Sequence, residues 1–475
     1  MYIIVLLVWL MTSVVEATTH YVGAEASGTG TGTSSANLCG GLADGDCTQL
    51  AGDTIYLCGA FTAALSVPTS GTAEAPITYH WDCSGNPATL TFDAASPFAF
   101  SISGKHDLVI NDLRIHGAAG QSGPTNQQSL VVVTGGAYGV TINDMSVWGN
   151  SYLSGVVISD AYNVTLNRPT VHTNGKHGIH VYRDTHDIIV DGFVVYDNVQ
   201  SGLIFIGATP SDNYDNIAKN GTAYGNGDGL YSVLSHDNMF LNNHIYANTN
   251  VLGNGEGYGI GVQQSSGMKI IGNVIHDNLS DGVEVWGDGQ YPSNQCEVAY
   301  NTIYNHTETP LNDSFSNGIE ARTGYSQGCK IYQNLLYNNS RNFRLGNDLS
   351  NTSILFNNQV KGGLHSVKAP DSNESGTNSL TGWRIVGNTF DTPTTSWFET
   401  EVATGNRNTF LGNQWLGGTG ATYNGTAYTA ETITTLDATG VITGNSVDTG
   451  GAYGAAATRM YPLPATYVFG RSPRL

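Results

Sequence analysis

The sequence predicts an all-β solenoid, a parallel β-helix of about ten or more coils with three short strands in each. Three observations predict it. First, a unit of the form Gly-Ile-x-Val, a turn, x-Ile-x-Ile-x-Gly-Asn, then x-Ile-x-x-Asn recurs from residue 79 to 415. Its clearest copy is Gly259-Ile-Gly-Val262, then Met268-Lys-Ile-Ile-Gly-Asn273, then Val274-Ile275 and Asn278. Second, successive copies start about 23 residues apart, with inserted loops where the gap is larger. Third, the apolar residues alternate as strands do, and no stretch keeps a helical period. Length alone would suggest several domains, but a repeat fold grows along one axis and stays single.

The elements follow in order. Residues 1–17 read as a secretory signal, because Ile3–Leu10 is an apolar run too short to span a membrane and Val15-Glu16-Ala17 places small residues at the cleavage positions. No Lys or Arg precedes the run, which departs from the usual pattern. Export agrees with six cysteines, a number suited to disulfides in an oxidising compartment. Cys296 and Cys329 precede equivalent strands, so a bridge between adjacent coils is expected, with Cα atoms about 5 Å apart. Cys39, Cys47, Cys58 and Cys83 are expected to form two more.

Residues 18–78 form an N-terminal cap segment with strands near Thr19–Val22, Ala51–Leu57 and Ala75–Tyr79. His20-Tyr-Val22, a glycine-rich stretch, Ala51-Gly-Asp-Thr-Ile-Tyr-Leu57 and Ala73-Glu-Ala-Pro-Ile-Thr78 together resemble the opening of secreted pectate-lyase-like proteins. That resemblance covers about sixty residues and implies a right-handed parallel β-helix.

Within the repeat, the apolar pair of Gly-Ile-x-Val should face the core while x faces out. The glycine is expected to supply a left-handed backbone angle at one corner. Asn198, Asn273, Asn301 and Asn334 suit the other corner as a stacked ladder. Residues 416–475 lose the pattern and read as last coils and a cap over the sheet edges.

The outward positions give a candidate surface. Along the stack they are His180 and Tyr182, Ile204 and Ile206, Tyr231 and Val233, Gly261 and Gln263, Glu284 and Trp286, Glu320 and Arg322, then Arg344. Glu284 and Glu320 should be direct neighbours about 4.8 Å apart. Two carboxyls that close suit acid–base work, and their spacing suits a retaining glycosidase. Only 18 residues are Lys or Arg, so two arginines beside two glutamates is an uneven use of them. Arg322 and Arg344 could neutralise a uronate, which favours β-elimination on an acidic glycan. Glu284, Glu320, Arg322 and Arg344 are therefore the catalytic candidates. His180, Tyr182, Tyr231, Gln263 and Trp286 are the substrate-binding candidates, and His180, Tyr231 or Glu320 could act as the base. The glutamate pair with Asp288 could instead hold Ca²⁺. Gly261 should leave a gap beside Glu284 for a ligand. The insertion from Tyr304 to Ser316 should overhang the same coils.

The bland alternatives are ion pairs on a solvated ladder face, and cover of Trp286 by the loop Gly287–Pro292. Asp184-Thr-His-Asp187 resembles the Asp-Pro-His-Asp motif of mannuronan C5-epimerases, with Thr185 in place of Pro. However, His106-Asp107 and His236-Asp237 occupy the same place before a strand, so His-Asp reads as a turn habit. The Asp-Asp pair of polygalacturonases and the Lys-Ser with Arg-His-Gly pattern of other uronate lyases are absent from the sequence. The net charge of −20 argues against nucleic acid. No span of the mature chain is long and apolar enough for a membrane helix. The expected protein is a secreted monomer acting on a polysaccharide as a lyase, with a glycoside hydrolase or a glycan-binding adhesin as the alternatives.

Overall fold

The computed structural model describes residues 17–417 apart from 84, 93–95, 118–128, 250–255, 308–315, 323–325, 347–351, 369–381 and 401–408, together with four short strands between 421 and 448. The segment expected to be a secretory signal, the middle of the 304–316 insertion and most of the expected C-terminal cap lie outside the described residues.

Each regular coil carries three strands. In one they are Ile260–Gln263, Lys269–Ile271 and Val274–His276, and they define a first, second and third face. The next coil repeats them as Val283–Trp286, Glu297–Ala299 and Thr302–Tyr304, each parallel and in register with its predecessor. The third face stacks 15 strands among the described residues, which meets the expectation of ten or more coils. The first and second faces run together because Val156–Asn167 and Ile179–Asp191 continue through the corner between them. Ile260, Val262, Ile270 and Ile275 point inward and are fully buried. One coil cannot close such a core, so each neighbour completes it. Among the described residues, no helix is long and apolar enough to cross a membrane.

The N-terminal strands stack on the same scaffold. Thr19–Gly23 pairs with Thr54–Cys58, which pairs with Ile77–His80, which pairs with His106–Asn111. Asp53 explains the Gly-Asp-Thr run. It is buried and accepts backbone N–H bonds from Thr18 and Leu50, and its carboxylate meets His20. The expected disulfide Cys296–Cys329 is present with Cα atoms 4.6 Å apart, as are Cys39–Cys47 and Cys58–Cys83.

Two details of the coil differ from expectation. The glycine of Gly-Ile-x-Val is not left-handed. A Cβ on Gly259 would lie 2.5 Å from Ile275 Cγ2 and 2.6 Å from the Gly282 carbonyl oxygen, so close packing of the next coil demands glycine there. Left-handed angles fall instead on the residue before a ladder asparagine, such as Gly272, Tyr300 and Gln333. The second difference is that there are two asparagine ladders, not one. Asn243, Asn273, Asn301, Asn334, Asn358, Asn388 and Asn413 line the corner between second and third faces. Asn198 belongs to the other ladder, with Asn174, Asn226, Asn248 and Asn278.

Each rung of a ladder is hydrogen-bonded on several sides. Asn301 donates its backbone N–H and its Nδ2 to Asn334 Oδ1, both at 2.9 Å, and donates Nδ2 to the Ile270 carbonyl. Its own Oδ1 accepts the backbone N–H and Nδ2 of Asn273. Asn301→Ala would strand these buried groups and should cost about 1–3 kcal/mol. Urea unfolding followed by circular dichroism measures this, and an unchanged midpoint would refute it.

Candidate functional site

The first face carries its outward column in strict register. The series is His180, Ile204, Tyr231, Gly261, Glu284, Glu320, Arg344 and Lys368. The neighbouring column runs Tyr182, Ile206, Val233, Gln263 and Trp286. Arg322 follows the strand Asn317–Ala321 and donates its backbone N–H to the Val285 carbonyl, so it continues beside Trp286. The alternation that buries Val283 and Val285 thus turns Glu284 to the outer side, as the repeat predicts.

The outer side here is not a solvated face. Glu284 is 3 % exposed, Glu320 1 % and Arg344 2 %. Glu320 Oε1 accepts from Arg344 Nη1 at 2.6 Å and from Arg322 Nε at 3.1 Å. Its Oε2 accepts from Asn317 Nδ2 at 2.8 Å. Glu284 Oε1 lies 2.6 Å from Arg322 Nε, an ion pair rather than an aligned hydrogen bond. Arg322 therefore bridges the two glutamates.

A third carboxylate completes the cluster. Asp281 is fully buried, and its Oδ1 accepts the backbone N–H and Nδ2 of Asn317. One oxygen from each of Asp281, Glu284 and Glu320 lies within 4.8 Å of the others. Burial pushes the Glu284 carboxyl up to about 8, with Glu320 adding to the rise and Arg322 opposing it. Burial, then the Glu320 charge, also raises Asp281 well above the usual carboxylate range. Three carboxyls against the two guanidiniums of Arg322 and Arg344 leave one excess negative charge, and a retained proton on Glu284 or Asp281 offsets it.

Two tyrosines close the cluster from the preceding coils. The Tyr231 ring lies across Gly261, where a Cβ would meet its Cε2 at 2.1 Å. The expected gap at Gly261 is therefore filled by Tyr231, whose hydroxyl donates to Gln263 Oε1 at 3.2 Å. Tyr258 is buried and donates to Glu256. Burial, then the charge of Glu284, raises both hydroxyls, so they stay protonated. Asp228 holds this part of the site in place: its Oδ1 accepts the backbone N–H groups of Glu256, Gly257 and Tyr258.

Other expected site residues stand apart. His180 is four coils from Glu284 on the same column, or about 19 Å. Burial, then Lys176, pushes its imidazole down to about 3, so it is a neutral histidine packed beside His177 and Tyr182. Tyr182 carries the Arg183 guanidinium 4.6 Å from its ring centroid. Trp286 is half-buried, and its carbonyl accepts from Ser293 Oγ in the following loop. Asp288 is not with the glutamates. Its carboxylate accepts the backbone N–H groups of Gln290 and Tyr291 and the Gln264 amide, so it shapes a loop. The three residues that could hold a hard cation are Asp281, Glu284 and Glu320. Both oxygens of Glu320 already accept from Arg344, Arg322 and Asn317, so a cation there would have to displace a guanidinium or an amide.

Asp281, Asn317, Tyr258 and Asp228 join the site without standing on an outward strand position. They share one sequence signal: each immediately precedes the glycine of a Gly-x-x-x strand, at Gly282, Gly318, Gly259 and Gly229. The His-Asp pairs prove structural. His106, His186 and His236 interleave with Tyr138, Tyr162 and Tyr214 in one stacked ladder, and each Nδ1 meets the following aspartate.

A family model described as a right-handed β-helix region matches residues 129–303. No curated protein matches the chain by sequence. Among solved structures, the A-module of mannuronan C-5 epimerase AlgE4 from Azotobacter vinelandii is similar at 17 % identity and a TM-score of 0.51, covering 67 % of this chain and 89 % of that one. A lacto-N-biosidase from Eubacterium ramulus aligns at 12 % identity and a TM-score of 0.40, covering 79 % of this chain and 64 % of that one. The surface adhesin PfbA of Streptococcus pneumoniae aligns at 11 % identity and 0.45, covering 73 % and 84 %. The register of the coils, the family model and the epimerase likeness agree on the architecture: the chain has the fold of the pectate-lyase-like right-handed parallel β-helix proteins.

Proposed function

We propose that the Glu284–Glu320 face cleaves a polysaccharide outside the cytoplasm, by acid–base hydrolysis of a glycosidic bond. The observation that carries this reading is the contrast between two adjacent carboxyls. Glu284 keeps its proton up to about pH 8, while Glu320 accepts two guanidinium hydrogen bonds. Glu284 would protonate the leaving oxygen, and Glu320 would serve as nucleophile or activate water. Adjacent strands put the pair about 4.8 Å apart, near the separation of retaining enzymes. A face that presents side chains at regular steps suits a linear polymer, with Gln263 and Trp286 flanking the pair. The mannuronan epimerase module that shares the fold is named for a polysaccharide substrate. Three disulfides and no free cysteine among the described residues suit an oxidising compartment.

The second reading is β-elimination on a uronate. It is favoured by the 29 % exposure of the Arg322 side chain, which could meet a substrate carboxylate. It is weakened because both arginines already hold glutamates and the Tyr231 hydroxyl is too protonated to act as a base.

The test is incubation with pectate, alginate, glycosaminoglycans and neutral glucans. New reducing ends without unsaturated-uronate absorbance are expected. Glu284→Gln should lower kcat about 10²–10⁴-fold. Because the acid form is the active one, activity should fall as pH rises through about 8. Absorbance from unsaturated products would replace hydrolysis by elimination, and binding with neither product would replace catalysis by adhesion.

A further inference from the structure

The third face carries an external ladder of stacked rings, Trp148, His172, Tyr196, Tyr224, Tyr246, His276, Tyr304 and Tyr337. His276 lies between Tyr246 at 5.3 Å and Tyr304 at 4.6 Å, nearly parallel to both. Its ring orientation is therefore fixed by packing. Its Nδ1 meets Asp277 Oδ2 at 2.6 Å. A carboxylate there holds the proton on Nδ1 and leaves the Nε2 lone pair directed away from the aspartate.

What Nε2 faces is a second imidazole. His244 pairs in register with Val274, which places it diagonal to His276 on the next strand. The two rings are 5.0 Å apart and tilted by 36°, and with the His276 proton on Nδ1 the His244 Nε2–H donates a hydrogen bond to His276 Nε2 at 2.8 Å. His244 also packs against Tyr246 at 4.7 Å. Both histidines thus project from a rigid sheet, with one ring nitrogen each turned toward the other.

We propose that His244 and His276 form a site for a divalent transition metal ion of the copper type, with both Nε2 atoms as ligands and water completing the coordination. Imidazole nitrogen is a preferred donor for such ions. At metal–nitrogen distances of about 2.0–2.1 Å, two ligands cis in a square plane stand about 2.9 Å apart, and two in a tetrahedron about 3.4 Å. The 2.8 Å contact is an N–H···N hydrogen bond, so the ion would replace its proton, and Cu²⁺ is the divalent first-row ion that such nitrogen donors bind most tightly. The Asp277 carboxylate supplies the outer hydrogen bond that orients a ligating histidine. The other described His-Asp pairs give internal controls. His106, His186 and His236 have the same Nδ1–aspartate bond and also stack on tyrosines, but none of the three meets a second imidazole as His276 meets His244.

The site is independent of the carboxylate cluster, so its test does not depend on any glycan activity. The full chain is titrated with Cu²⁺ at pH 7.5 and followed by calorimetry and electron paramagnetic resonance. One ion bound through two nitrogen ligands is expected. His244→Ala and His276→Ala should each weaken binding at least about 10-fold and remove one nitrogen from the spectrum, and Asp277→Asn should weaken it about 10-fold or more. His236→Ala should bind as the unaltered protein does. All four positions lie on outer faces of the sheets, and circular dichroism checks that each variant folds. A spectrum without two-nitrogen coordination, or His244→Ala binding Cu²⁺ as tightly as the unaltered chain, would overturn the proposal.

Discussion

Replacing Glu320 by alanine is expected to destabilise the protein by about 3–5 kcal/mol, the cost of removing one partner from a buried ion pair. Glu320 is 1 % exposed and accepts from three donors: Arg344 Nη1, Arg322 Nε and Asn317 Nδ2. Alanine takes the acceptor away from all three at once. An opposing effect exists, because removal of Glu320 lessens the repulsion felt by Asp281 and Glu284. Geometry decides between them. Arg344 is adjacent to Glu320 but two strands from Glu284, about 9.6 Å along the stack, so the remaining carboxylates cannot replace what it loses. The Arg344 side chain is only 3 % exposed, so water does not replace it either. Glu320→Gln, which keeps an acceptor oxygen, should lose less. Denaturant midpoints for the two variants measure the difference. An alanine variant that unfolds at the same denaturant concentration as the unaltered chain would show the pair to be energetically idle. A second readout is the Glu284 titration, which should move down in both variants because the neighbouring charge is gone.

Much of this cluster is legible in the sequence. Strand alternation and a fixed repeat put Glu284, Glu320 and Arg344 in one column, because in a parallel stack register follows directly from the repeat. Burial is not legible, since alternation says which side of a strand a residue faces and not what covers that side. The solvated ladder face of the alternative reading is a buried cluster for that reason. Gly261 shows the same limit. The sequence marks a missing side chain, but only the structure shows the Tyr231 ring lying over it. Asp288 is close to Trp286 in sequence but not to the glutamates in space, because the loop turns its carboxylate toward its own backbone. Asp281 stands three residues before Glu284, yet at the corner, where period-two alternation gives no direction. The two ladders look like one in the sequence for a related reason: Asn198 and Asn273 have similar local sequence but close different corners.

The second large effect is expected at His306, in acid. His306 is fully buried and occupies an asparagine position in the ladder that includes Asn248 and Asn278. Its backbone N–H and Nδ1–H donate to Asn339 Oδ1, and its Nε2 accepts from Asn278 Nδ2 at 3.2 Å. The ring therefore imitates an amide, with one donor and one acceptor, and only the neutral form can do so. Protonation at Nε2 would set two donors against each other inside an amide stack. Burial holds the pKa down to about 4, with the Asn339 bond and Asp277 raising it and His276 lowering it. The unfolded chain takes up this proton near the ordinary histidine value of about 6.5. Stability from this group is thus complete above that value and falls as pH drops toward 4, because only the unfolded state binds the proton in that window. The interval of about 2.5 units corresponds to about 3 kcal/mol. Other buried histidines, His177 and His180, act in the same direction, while Glu284 acts in the opposite one, so the absolute curve does not isolate His306. The comparison that does is His306→Asn, which restores an amide to the ladder and leaves every other titration in place. Its stability should fall less than that of the unaltered protein between pH 6.5 and 4, by about 3 kcal/mol. Two unfolding curves that lose stability in parallel over that range would place the acid sensitivity elsewhere in the coil.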